Sequence, residues 1–383
     1  MMAKCDILMR KCSPTILALL MVLPVCMPTP GVLAEGVDEQ ADASGPPRIV
    51  LGYIPGWMEI EYDELPWEHL THAAHAFVGA DPDGGLVSQD GVPDPMLAEA
   101  AHEHGVKLLL SIGGAGSDRY LNPMVQKPGA LERYISEVTE AIVENDYDGV
   151  DLDWEHPETT EAIRGYTSIL EGLRKALDEL GEQQGRQYLL TVAVNGWRFG
   201  VPGEVFAANA DLVNVMTYDM AGPWSHYLGH HARLKAAETD EQHGEGLSII
   251  TAMEFWSQTM GIPRGRLLVG LPFYARGFEQ MEPFSVVEEK NEELHKTYLY
   301  NELAALEEQG WTRQWNDTNQ TPWLISPTGD AAIGYDDAQS IGAKVRWAQD
   351  HGHGVMIWAI GQDRLADGSY PLMQAVTDSM GTE

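Results

Sequence analysis

Cysteine is nearly absent from this chain of 383 residues: Cys5, Cys12 and Cys26 are all there is, and all three fall within the first 34 positions. Once that stretch is removed, neither a disulfide nor thiolate chemistry is available. Basic residues are scarce as well, with 24 Lys and Arg against 58 Asp and Glu, and only nine lysines. The formal net charge of −34 repels polyanions, so nucleic acid and anionic membranes are not expected partners. Long apolar runs are also missing but for ILALLMVLPVCM at 16–27, which is short for a bilayer span. Lys4, Arg10 and Lys11 precede that run and Val32-Leu33-Ala34 follows it, the layout of a secretory signal peptide over 1–34. An uncleaved anchor, or a lipoprotein attached through Cys26, would use the same run differently. Val25 is a poor residue before a modified cysteine.

Cleavage there would remove Lys4, Arg10, Lys11 and Asp6, leaving 21 basic and 57 acidic residues and a net charge of −36. The leader therefore implies a mature chain outside the cytoplasm (extracellular or periplasmic) and unattached to the membrane, and the charge suits salt that screens self-repulsion. Residues 35–47, EGVDEQADASGPP, read as a disordered lead-in. There are no internal repeats and no linker to an appended binding domain.

What the sequence does have is alternation. Short β-branched runs at 48–57, 70–80, 107–114, 149–155, 188–196, 212–220, 267–277 and 354–360 predict eight strands. Helical spacing fills gaps at 129–145, 159–181 and 336–352, the last capped by Asp336 or Asp337 and stopped by Gly352. An α/β fold follows, a (β/α)8 TIM barrel over 48–383. A doubly wound open sheet would carry a Gly-rich phosphate loop after its first strand, and GYIPGW is not one. Residues 279–330, with acidic helix-like pieces and the Trp-rich stretch at 310–324, form a small insertion expected to rise beside the barrel's catalytic end.

The chemistry concentrates in YDGVDLDWEHP at 147–157. Side chains alternate along a strand, so Asp151, Asp153 and Glu155 share the inward face and step up to the mouth, while Asp148 is out of phase. Crowded acids cannot all ionise, and Glu155 is expected to stay protonated as a general acid. A buried acid ladder bonded to backbone amides would be the purely structural use. Clustered carboxylates also suggest a metal, but no paired histidines flank the strand and His156 should point away from Glu155, so no metal or other cofactor is expected.

DGVDLDWE resembles the D-x-x-D-x-D-x-E signature of glycoside hydrolase family 18, the chitinase family. SIGG at 111–114, MTYDMAGPW at 216–224, GLPFYARGF at 270–278 and GVMIWAIGQD at 354–363 resemble further family blocks in the same order. The resemblance implies that Glu155 protonates the glycosidic oxygen and that Asp153 orients the substrate's acetamido group, its own nucleophile. It implies that Asp151 shares charge or a proton with Asp153, that Tyr218 bonds the acetamido oxygen, and that Asp148 is structural. Tyr53 and Ser111 look like supports for Asp151, Tyr53 also a site residue, with Gly113 and Gly114 part of the structural motif. Trp358 looks like the floor under the cleaved sugar, and Met216, Asp219, Tyr274 and Arg276 look like substrate-binding residues. Trp224 resembles a leaving-group platform.

Trp57, Trp315 and Trp323 could also line the cleft, whereas His226, His230 and His231 read as surface or loop-packing residues. Many relatives place a tryptophan after SIGG; here Ala115 follows. The short insertion suggests an open groove and endo action. The expected protein is a monomeric, secreted chitinase acting on chitin or N-acetylglucosamine oligosaccharides by a retaining route. An endo-β-N-acetylglucosaminidase, a peptidoglycan or spore-cortex hydrolase, and a non-catalytic chitin-binding lectin are the alternatives.

Overall fold

In a computed structural model, residues 49–243, 246–279, 282–286 and 295–380 are described. The expected signal peptide at 1–34 and lead-in at 35–47 lie outside them. Strands β1 (Val50–Pro55), β2 (His72–Ala80), β3 (Leu86–Val87), β4 (Lys107–Gly113), β5 (Gly149–Asp153), β6 (Leu189–Asn195), β7 (Leu212–Met216) and β8 (Leu267–Pro272) come first along the chain. They are followed by β9 (Tyr274–Phe278), β10 (His295–Leu299), β11 (Thr312–Asn316), β12 (Thr321–Ile325), β13 (Ala332–Gly334) and β14 (Gly354–Trp358).

Eight of these, β1, β2, β4, β5, β6, β7, β8 and β14, pair in parallel and close on themselves where β1 meets both β14 and β2. The expected (β/α)8 barrel is therefore the observed fold. Period two explains its two apolar layers. On β5, Val150 and Leu152 face outward into the large core beneath the helices, while Asp151 and Asp153 point into the barrel. Inside, Leu51, Tyr53, Ala74, Leu109, Ala193, Leu268 and Met356 form a smaller cluster.

The helices carry the complementary stripe. In Thr160–Gln184 the buried positions Ala162, Tyr166, Ile169, Leu173 and Leu177 recur at three- and four-residue spacing. The Thr159 side chain caps its first turn and Gly185, at φ 69°, ends it. For helix Ala338–Asp350 the cap is Asp337, whose carboxylate accepts from the Ser340 N–H at 2.9 Å. Asp336, the other candidate, is buried in an ion pair with Lys344.

Several strands stop earlier than the sequence predicts. The run at 149–155 leaves the sheet at Asp153, and that at 212–220 leaves it at Met216. The run at 267–277 is two strands, because the chain turns a corner at Pro272-Phe273. After that corner β9 joins a separate antiparallel sheet, in the order β10-β9-β13-β12-β11. Helix Tyr300–Glu308 covers it, with Leu303 packed on Ala275, Tyr298, Leu324 and Ile333. The Trp-rich stretch is thus a β11–β12 hairpin, and part of the expected insertion, 280–281 and 287–294, lies outside the described residues.

Candidate active site

The pleat of β5 aims two acids up the barrel axis. Asp151 is fully buried and accepts four hydrogen bonds: Tyr53 Oη at 2.8 Å and Ser111 Oγ at 2.7 Å on Oδ2, Thr191 Oγ1 at 2.5 Å and Asn214 Nδ2 at 3.0 Å on Oδ1. Register supplies two of these donors, since Ser111 of β4 and Thr191 of β6 flank Asp151 on its neighbouring strands. Burial raises the Asp151 carboxyl above the ordinary aspartate value, while the four bonds pull the other way. These four contacts tie Asp151 into the barrel's interior, directly beneath Asp153, whose carboxyl its charge helps to raise.

Asp153 is almost as buried, yet its Oδ1 has no hydrogen-bond partner among the described residues. Burial, then the charges of Glu155 and Asp151, push this carboxyl well above its usual range. Gly113 makes room for the Asp153 main chain. A Cβ at Gly113, where φ is 118°, would stand 2.1 Å from the Asp153 carbonyl oxygen, and the next residue, Gly114, donates its N–H to that oxygen at 2.8 Å.

Glu155 lies past the end of the strand. Buried Trp154, packed on Tyr166 at 5.9 Å, anchors the turn that carries it. The Glu155 side chain keeps 23% exposure and reaches open space. Burial raises its carboxyl, His156 lowers it, and Asp219 and Asp118 raise it, with a net upward shift. Desolvation is therefore the first cause of the shift and crowding the lesser one. His156 does not point away as strand alternation implies, because the strand has ended: its Nε2 is 3.6 Å from Glu155 Oε2.

These acids open onto a cleft of ≈ 620 Å³ lined by Asp153, Glu155, Gly113, Gly114, Met216, Tyr218, Asp219, Tyr274, Arg276 and Trp358. Its floor is aromatic. Trp358 packs on Tyr53 at 5.4 Å, on Phe77 at 5.7 Å and on Trp57 at 6.3 Å. Tyr218 is buried, and burial followed by the charge of Asp153 keeps its phenol protonated. On the opposite wall Asp219 accepts from Tyr274 Oη at 2.7 Å and from Arg276 at 2.8 and 2.6 Å. Burial pushes the Asp219 carboxyl up, but these contacts outweigh it and hold the group below its usual range. His231 Nδ1, at 3.7 Å, is beyond hydrogen-bond distance, so Arg276 carries the depression. The Arg276 guanidinium also lies 5.1 Å from the exposed ring of Trp224.

The sequence profile of Glycosyl hydrolases family 18 matches residues 49–363. The chain belongs to that family. It is 28% identical to "Chitinase A1" of Niallia circulans over 68% of its own length, and spans 41% of that relative. The class V chitinase of Nicotiana tobaccum in complex with NAG4 superposes with a TM-score of 0.77 at 23% identity, covering 88% of this chain and 99% of that one. A family 18 N-acetylglucosaminidase from Paenibacillus barengoltzii superposes with a TM-score of 0.74 at 26% identity, covering 87% and 99%. The chain is a glycoside hydrolase.

Several residues singled out in the sequence of this family 18 hydrolase stand off the cleft. Tyr53 is off the cleft wall and serves Asp151 from below. Asp148 lies at the other end of β5, held by Arg186 at 2.7 Å, His102 at 2.8 Å and the Leu108 N–H at 2.9 Å. Trp323 is buried in the inserted sheet beside Phe284 and His230, and Trp315 lies under Arg313; neither lines the cleft. His226 is exposed, whereas His230 and His231 are fully buried. His230 accepts the Ala232 N–H on Nδ1 at 3.1 Å, which leaves Nε2 to donate to the Tyr335 carbonyl at 2.7 Å. Sequence reasoning missed Thr191 and Asn214. Their signal was a lone polar residue inside the apolar runs YLLTVAV and LVNVM.

Proposed function

We propose that this hydrolase is a secreted chitinase that cuts β-1,4 bonds between N-acetylglucosamine units, within the chain and with retention at the anomeric carbon. The observation that carries the reading is Asp153 Oδ1, a buried acceptor with no partner among the described residues, at the foot of an acid whose pKa is raised. An acetamido N–H is a group that such an oxygen can take. Glu155 gives its proton to the glycosidic oxygen as the C1–O bond breaks. The acetamido carbonyl oxygen, bonded by Tyr218, attacks C1 from the other face, and the oxazolinium ion formed is stabilised by Asp153. Glu155, now a carboxylate, takes a proton from water, and the hydroxide adds to C1 as the ring opens. Trp358 stacks under the sugar being cleaved.

Endo action is supported by the cleft's continuation on both sides of Glu155, which lines the ≈ 620 Å³ space and two further hollows of ≈ 420 and ≈ 520 Å³. An N-acetylglucosaminidase is the second reading, favoured by the likeness to the Paenibacillus barengoltzii enzyme and by Ala115, which supplies no ring to the cleft it lines. A lectin would have no need for an acid set with Asp151, Asp153, Glu155 and Tyr218 all in place. The test is to incubate the protein and Glu155→Gln with soluble N-acetylglucosamine oligomers, a glycoprotein and cell walls. The wild type should cut the oligomers internally and the variant should not. Release of monosaccharide or disaccharide from chain ends alone rejects endo action, and cleavage of glycoprotein or cell wall only rejects chitin.

A further inference from the structure

The loop after β6 presents an aromatic wall that the mechanism above leaves unused. The two hollows beyond Glu155 share Glu155, His156, Asn195 and Trp197, with Trp224 completing one and Phe199 the other. Trp197 is half-buried and rests against the core between barrel and helices. Its loop is braced at both ends. Asn195 Oδ1 accepts the N–H groups of Trp197 at 3.3 Å and Arg198 at 2.9 Å, and the Asn195 carbonyl accepts the Trp256 indole N–H at 2.9 Å. Phe199 then locks edge-on against Tyr166 at 5.4 Å and Phe206 at 5.6 Å. A loop held this firmly loses little freedom when a ligand meets it.

We infer that Trp197 is a platform for the sugar on the leaving-group side, so that the departing chain runs over the β6 loop, between Trp197 and Trp224. The assignment rests on the chitinase reading above and gives its acceptor side a structure. An N-acetylglucosamine ring has an apolar face that stacks on indole, and Asn195 and His156 offer hydrogen-bonding groups in the same hollow. The role is one of binding and positioning, since Glu155 alone meets the reacting oxygen.

Two substrates separate this role from a merely structural one: the N-acetylglucosamine pentamer, and the nitrophenyl glycoside of the disaccharide, whose leaving group is too short to follow the loop. For Trp197→Ala, kcat/KM on the pentamer should fall about tenfold through a raised KM, well beyond the loss on the aryl glycoside. Cleavage should also shift to leave fewer sugars on the departing side. Trp197→Phe, which keeps a ring and the packing, should recover most of the loss, and it remains informative if the alanine variant folds poorly. Binding of the tetramer to Glu155→Gln should weaken by a similar factor when Trp197→Ala is added. Equal losses on both substrates, or no loss on the pentamer, overturn the platform and leave the chitinase reading standing. A wild-type protein that cleaves neither substrate overturns that reading and the platform with it.

Discussion

Asp153 and Glu155 are adjacent acids with different tasks, and burial serves each differently. A general acid must hold its proton, so the upward shift of Glu155 lets activity persist to higher pH than a solvent-exposed glutamate at about 4.3 would allow. The alkaline limb of kcat/KM should report this group. Removing the imidazole beside it, in His156→Ala, should move that limb to higher pH, because His156 pulls the Glu155 pKa down. An unmoved limb would mean that another group sets it. Asp153 carries a stability cost instead. Its folded-state pKa is raised, so the stability it lends is fully present below the unfolded value of about 3.9 and is lost as pH rises through the folded one. Asp153→Asn should therefore abolish turnover yet raise Tm by about 1–3 °C at neutral pH, with the gap closing towards pH ~4. Calorimetry across that range decides, and a gap equal at every pH would count against a raised Asp153.

At the scale of elements, β5 divides its labour along its length. Asp148 at its lower end ties the strand to Arg186 and His102, so Asp148→Ala should cost about 1–2 kcal/mol in urea unfolding, discounted for partial exposure, while KM on oligomers stays put. A changed KM would place Asp148 in the site instead. The strand phase of Asp151 and Asp153 could be read from sequence because a period of two survives any packing detail. What followed the strands could not. LLVGLPFYARG reads as one apolar run, and only Pro272 marks the corner where β8 gives way to β9 and a different sheet. β11 is mostly exposed and β12 wholly buried, so neither shows the alternation that identifies a strand. His230 is buried because its partner is the carbonyl of Tyr335, a contact between distant positions that composition cannot reveal.

For the molecule as a whole, charge is the dominant fact. With a net charge of −34, repulsion among surface carboxylates opposes the compact state. Added sodium chloride should raise Tm up to about 1 M, where the Debye length falls to ~3 Å. A Tm that falls steadily with salt would mean that surface ion pairs, such as Arg133–Glu137 and Arg164–Glu161, outweigh the repulsion.

Arg276 and Asp219 form one of several contacts that join the inserted sheet to the barrel, and the buried turn of the β11–β12 hairpin forms another, where Asn319 donates to the Lys235 carbonyl and to Asp240. That arrangement decouples two rates of change. The sheet's other edge, β10, lines the cleft with Thr297 and Leu299 and can exchange residues without disturbing the Arg276–Asp219 rivet, so the groove's rim becomes a trait that can drift while the chemistry stays fixed. Selection for a different polymer would then be expected to rewrite the rim of the sheet first, and its seam with the barrel last.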